Sequence, residues 1–183
     1  MSRIPQLERE ALAQRQRAVY DAVLASRGSI EGPFRVWLHS PELADRAQHL
    51  GQFLRYRTTL EPRLSELAIL VTAQSWNCQV EWALHETCAR QAGLDDEIIA
   101  ALRSGSTPVF TEPDEEATYT YCSQLLEGGT VADPAFAATV DQLGQQATVE
   151  LTGVVGYYTF VALTLNAFAV PLPAGTAPPL SPR

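Results

Sequence analysis

The chain contains no lysine; all thirteen of its basic residues are arginine. A lysine Schiff base and a phosphate-loop lysine are therefore excluded. Cysteine is scarce, with only Cys78, Cys88 and Cys122, a set that forms neither a secreted disulfide framework nor a zinc pattern. The three histidines, His39, His49 and His85, have no convergent carboxylate spacing, so no metal site is expected, and none for a cofactor. Charge is sparse at 19% and sums to −8, with the arginines scattered. Nucleic-acid surfaces need clustered cations to displace counterions, so neither nucleic acid nor anionic lipid is an expected partner. The N-terminal stretch MSRIPQLEREALAQRQ is charged and has no apolar signal-peptide core, which makes the cytoplasm the expected location. Residues 151–170 are uncharged and about as long as a membrane span. Thr152, Thr159, Thr164, Asn166 and two tyrosines interrupt them, and no basic anchors flank them. A buried central helix or subunit interface is the expectation there.

What is present reads as one all-α domain. With 183 residues, 46% of them hydrophobic, the chain can bury a core without covalent staples. Leu12, Val19, Tyr20, Val23 and Leu24 share a helical stripe that Gly28 stops. Ser40-Pro41-Glu42 has the order of N-cap, first-turn proline and acidic first turn, and the helix after it is expected to bury Leu43, Ala47, Leu50 and Leu54. Pro62 opens a helix with Leu64, Leu67, Ala68 and Val71 inward. Another is expected over 77–92, closed by Gly93. Asp95 caps a short one, Thr111-Glu112-Pro113 starts one ending before Gly128-Gly129, and Asp133-Pro134 starts one with Phe136, Val140 and Leu143 inward. Thr148 is expected to cap the last, apolar helix. No alternating strand pattern and no repeat of fixed period occurs. The expected organisation is an N-terminal helix over 1–29, a helical domain over 30–173 and a Pro-rich tail over 174–183, frayed or draped on the surface.

The chemistry concentrates in the hairpin ELAILVTAQSWNCQVEWALHETCARQAGL. Cys78, Glu81, His85 and Cys88 follow one another at intervals of three, four and three, which puts all four on one helix face. A thiol, a carboxylate and an imidazole on one stripe can transfer protons. The same spacing also fits two small core cysteines beside an ordinary Glu81–His85 surface pair.

These residues resemble a known pattern. Glu66, Cys78, Glu81 and His85 keep the register of the alkylhydroperoxidase D motif of Glu, Cys-x-x-Cys and His, with Glu81 at the second Cys position. The string Glu81-Trp82-Ala83-Leu84-His85, followed by Ala89, Ala92-Gly93-Leu94 and Glu97, resembles the carboxymuconolactone decarboxylase branch of that superfamily. The likeness extends through Gly32-Pro33-Phe34 and Leu38-His39-Ser40-Pro41-Glu42-Leu43 on one side. On the other it takes in Gly156-Tyr157-Tyr158 and Asn166-Ala167-Phe168. It covers roughly 30–173.

The resemblance implies an alkylhydroperoxidase D-like helical bundle with a central hairpin, assembled as a homotrimer or homohexamer. It also implies a lyase acting on a small carboxylated or lactone metabolite. In the family reaction a carboxylated lactone loses carbon dioxide, and the carbanion-like centre left behind is protonated. His85 would be the general acid/base, with Glu66 or Glu81 orienting it. Trp82 could wall the pocket, although core packing is its expected role. Arg55, Arg57 and Arg63 are the nearest cations in sequence for a substrate carboxylate; His39 and His49 read as structural or exposed. A thiol peroxidase using Cys78 is the alternative. It lacks the resolving thiol, because ten residues of helix put Cys88 about 15 Å away and disulfide Cα atoms must come within about 7 Å. Cys78 would need an external thiol, and Glu81 one turn away would raise its pKa. A non-enzymatic oligomer that binds a ligand is the third possibility.

Overall fold

Pro62 at the first helical turn starts a helix in which ten consecutive residues, 64 to 73, are buried. No other helix among the described residues has so long an unbroken buried run, and three of the helices that follow it pack around it. The computed structural model describes residues 2–5 and 7–181; residues 1 and 6 of the 1–29 segment and 182 and 183 of the 174–183 segment lie outside the described residues. A 3-10 turn at Arg9–Ala11 precedes helices α1 (Gln14–Arg27), α2 (Phe34–Trp37), α3 (Pro41–Tyr56) and α4 (Pro62–Ser75). After them come α5 (Gln79–Gln91), α6 (Asp96–Ser104), α7 (Pro113–Gly128) and α8 (Asp133–Ala167). No strand occurs among the described residues. The fold is all-helical, as the sequence pattern indicates.

Helix α4 packs against α5, α7 and α8 and also meets α6, while α1 packs on α3 and α3 on α8. The α4–α5 hairpin turns at Asn77, which takes a φ of 47°, a left-handed conformation that asparagine tolerates better than most residues. Cys78 is the N-cap of α5 rather than part of the helix. Several expected boundaries stand as read. Gly28 closes α1 in the left-handed region, the Asp95 carboxylate accepts the Glu97 N–H at 2.6 Å, and Gly129 closes α7. The apolar stretch 151–170 supplies Leu151, Val154, Val155, Tyr158, Val161, Ala162 and Leu165 to the core.

Three expectations need correction. Helix α3 buries Ala44, Ala47, Gln48, Gly51 and Leu54, whereas Leu43 and Leu50 are 44% and 52% exposed. Small side chains face inward because the neighbouring helices come close; Gly51 lies against the Tyr157 side chain. Phe136 is exposed as well, and Val140 and Leu143 are half-buried, since the first turns of α8 extend beyond the core. Finally, Thr148 does not cap the last helix. The break is at Gly144, with φ 81° and ψ 164°, and Thr148 lies inside the resumed helix, donating its hydroxyl to the Gly144 carbonyl at 2.8 Å.

The Pro-rich tail is draped. The Gln79 side-chain amide donates to the Leu180 carbonyl at 3.1 Å and accepts the Leu180 N–H at 2.9 Å, and the Leu180 side chain is buried. At the other end Arg3 N–H donates to the Phe168 carbonyl at 2.8 Å.

The backbone at Gly144 lies in a region that only glycine occupies without strain, and a Cβ added there would meet nothing within 4 Å. Gly144→Ala should therefore cost about 1–3 kcal/mol through backbone strain alone. Urea unfolding measures this, and an unchanged midpoint would show that the kink straightens at no cost.

Candidate active site

Glutamate is out of place on a helix as buried as α4, yet Glu66 is 9% exposed there. A buried polar group needs a hydrogen-bond partner, and α5 brings one: His85 Nδ1 stands 2.7 Å from Glu66 Oε2. His85 is 4% exposed, and its ring meets Tyr158 edge-on, with centroids 5.1 Å apart. With Glu66 accepting the Nδ1 proton, Nε2 is left as the ring nitrogen able to take or give another proton. Nε2 makes no protein hydrogen bond among the described residues.

His85 opens on a cavity of about 350 Å³ whose wall also includes Arg27 from α1, Arg55 from α3, Glu81 and Cys88 from α5, and Tyr157 and Tyr158 from α8. Phe34, Val161 and Leu165 add apolar surface. Volume, apolar walls and a few convergent polar groups are what a small-molecule site needs. Glu81 is 1% exposed, and neither of its carboxyl oxygens has a hydrogen-bond partner. Burial pushes its pKa well above the ordinary carboxylate value and so favours the neutral carboxyl, and Glu81 is part of the cavity wall. The two carboxyls thus do different work: Glu66 holds His85, and Glu81 is available to a ligand.

The structure separates the cysteines. Cys78 is fully buried and lies outside the cavity wall. Burial, followed by the nearby Glu81 carboxyl, pushes its thiol up to about 12. Cys122 is buried on α7, where desolvation raises its pKa too. Cys88 does reach the cavity and lies 3.7 Å from Arg55 Nη2; burial and then Glu66 raise its thiol pKa, against the pull of Arg55.

Of the three arginines nearest in sequence, only Arg55 lines the cavity. Arg57 is exposed. Arg63 ties α4 to α7 through Asp114 at 2.7 Å and Glu115 at 2.5 Å. Trp82 is fully buried, donates to Glu86 at 2.8 Å and is core rather than wall. His39 meets the Pro5 carbonyl at 2.9 Å and His49 the Asp45 carbonyl at 2.7 Å, both on the surface. Sequence reasoning missed Arg27, Tyr157 and Tyr158 as site residues. Arg27 ends α1 next to Gly28, where a cation has the ordinary purpose of meeting the helix dipole, so only its position in space distinguishes it. No three His, Cys, Asp or Glu side chains cluster at metal-binding distance among the described residues.

Residues 41–119 match the model of the carboxymuconolactone decarboxylase family. That segment runs from α3 into α7 and contains Glu66, Cys78, Glu81 and His85. No curated protein sequence matches the chain. Among solved structures, the chain resembles an Agrobacterium tumefaciens protein of unknown function, described as a candidate antioxidant defence protein AhpD. The TM-score is 0.68 at 19% identity, over 79% of this chain and 99% of that one. It also resembles the apo form of the debrominase Bmp8, with a TM-score of 0.73 at 14% identity, over 92% and 91% of the two chains. At such identities the likeness is one of fold.

The state of Glu81 can be tested through stability. Its folded pKa lies above the ordinary 4.5, so the folded state holds a proton that the unfolded state releases, and stability falls as pH rises above 4.5. Glu81→Gln removes that dependence. The variant should match wild type near pH 4 and become progressively more stable than wild type towards pH 8, in parallel thermal melts. A gap that does not change with pH would mean that Glu81 is ionised in the fold.

Proposed function

We propose that this chain, carboxymuconolactone decarboxylase-like over residues 41–119 and AhpD-like in fold, is an acid–base enzyme. Its substrate would be a small carboxylated or lactone metabolite, and its chemistry would run through His85. The observation that carries the proposal is the His85–Glu66 hydrogen bond of 2.7 Å at the wall of a 350 Å³ cavity. Glu66 orients the ring and stabilises the imidazolium that forms when Nε2 accepts a proton. In a decarboxylation the carbon–carboxylate bond breaks, carbon dioxide leaves, and the electron pair remains on carbon. Imidazolium Nε2 then protonates that carbon and returns to neutral imidazole. Burial favours the neutral carboxyl of Glu81, which lines the cavity and in that form can donate a hydrogen bond to a carbonyl oxygen that gains charge during bond cleavage. The aromatic and aliphatic walls limit water, which strengthens each of these interactions.

The thiol route through Cys78 has less support. The sulfur is buried, outside the cavity, and its pKa is pushed up to about 12, so almost no thiolate exists at neutral pH to attack a peroxide. Glu81 stands where a resolving thiol would be needed. Assembly as a homotrimer or homohexamer in the cytoplasm is part of the proposal.

The test is a set of small carboxylates and lactones, followed by NMR in D₂O for carbon dioxide loss and for deuterium incorporation. On a substrate so identified, His85→Ala should lower kcat by about 10²–10⁴. Glu66→Gln should lower it by less, and Cys78→Ser should leave it within about twofold of wild type, as expected for a residue outside the chemistry. Full turnover in His85→Ala would refute the assignment, and peroxide consumption that depends on Cys78 would favour the thiol route.

A further inference from the structure

The cavity carries more polar demand than His85 and Glu66 account for. Arg27 Nε and Nη2 are shielded from solvent and, beyond the neighbouring Tyr157 hydroxyl, have no partner. Elsewhere in this acidic protein, Arg9, Arg15, Arg46, Arg63, Arg90 and Arg103 all pair with carboxylates, whereas Arg27 pairs with none among the described residues. Its guanidinium lies 4.7 Å from the centroid of the Phe34 ring, a cation–π contact that holds the charge without neutralising it.

Gly51 shows that this corner is built. It occupies the interior of α3, where glycine is a poor helix former. A Cβ there would stand 2.1 Å from the Tyr157 hydroxyl oxygen and 2.8 Å from Arg27 Nη2. Only glycine leaves the notch in which these two donors sit together. Three helices therefore cooperate to place a guanidinium and a phenol hydroxyl side by side on the cavity wall: α1 with Arg27, α3 with Gly51 and α8 with Tyr157. Neither α1 nor α8 belongs to the family-matching segment 41–119.

The geometry points to Arg27, assisted by the Tyr157 hydroxyl, as the anchor for the carboxylate of a small organic acid whose remainder extends along the cavity towards His85 and Glu81. A planar guanidinium fork matches the two oxygens of a carboxylate. The walls around it are aromatic and aliphatic, from Phe34, Tyr158, Val161 and Leu165, and so suit an apolar body behind the charged end. The inference rests on reading this cavity as the active site.

Binding alone tests it, without turnover. The intact protein is titrated with benzoate, with its neutral analogue benzamide and with inorganic phosphate, by calorimetry or NMR. Wild type should bind benzoate at least about tenfold more tightly than either comparator. Arg27→Gln should weaken benzoate by about tenfold or more, the loss of one charge-assisted pair, while Arg27→Lys recovers part of it. Gly51→Ala should weaken it too, and the exposed Arg57→Gln should change nothing. Circular dichroism checks that each variant is folded, and Arg27→Lys and Gly51→Ala decide the question if Arg27→Gln is not. Unchanged benzoate affinity in folded Arg27→Gln overturns the assignment. So does benzamide or phosphate binding as tightly as benzoate, an equal loss in Arg57→Gln, or no benzoate binding by wild type. None of these outcomes alters the dependence of turnover on His85, so the two claims fail separately.

Discussion

One hydrogen bond organises this protein: His85 Nδ1 to Glu66 Oε2, at 2.7 Å. Helix α4 can be buried along ten consecutive residues only if the one carboxylate among them finds a partner. That partner comes from α5, so the α4–α5 hairpin must close in a single register, and the turn at Asn77 sets it. Once the hairpin is closed, Tyr158 of α8 packs on the imidazole, and the free ring nitrogen is directed to the space left between α1, α3, α5 and α8. Fold and site are thus fixed by the same contact. A pair of buried polar groups that satisfy each other costs little to retain, and removing either one strands the other.

The distribution of charge follows from having arginine as the sole cation and an excess of acid. Most arginines bind surface or half-buried carboxylates, as in the Arg9–Asp21 and Arg90–Asp96 pairs, and Arg63 joins α4 to α7. Such exposed pairs contribute little individually. Arg27 and Arg55 differ because they face the cavity without a carboxylate of their own. The cavity wall thus holds two guanidiniums that are not tied up in ion pairs, in a protein whose net charge is −8, and each is a place where a small anion can be held.

Much of the fold was legible from local chemistry. Proline at the first turn of α3, α4 and α7, glycine after α1 and α7, and the Asp95 cap each act within a few residues of the chain, so their consequences can be read there. The face that α3 buries could not be read in this way. Hydrophobicity ranks Leu43 and Leu50 above Ala44 and Gly51, but the close approach of neighbouring helices at positions 44 and 51 suits small side chains there, and interhelical distance is not a local property. The break in α8 is partly legible: the sequence places a helix boundary between Leu143 and Thr148, but Thr148 has the form of a cap, and only the structure puts the break at Gly144.

The sequence by itself determined the helical class, the α4–α5 hairpin, and the spacing that links Glu66, Cys78, Glu81 and His85, because helix periodicity and capping are short-range effects. It also excluded lysine chemistry, simply by containing no lysine. Only the tertiary structure decided which of those four residues meet. It paired Glu66 rather than Glu81 with His85, left Glu81 buried and unpartnered with its pKa raised, and shut Cys78 away from the cavity. It also brought Arg27 into that cavity from a helix nearly sixty residues upstream of His85. The physical reason is common to all of these: a side chain's partners, desolvation and pKa are set by what packs against it from distant parts of the chain, and spacing along one helix carries no record of that.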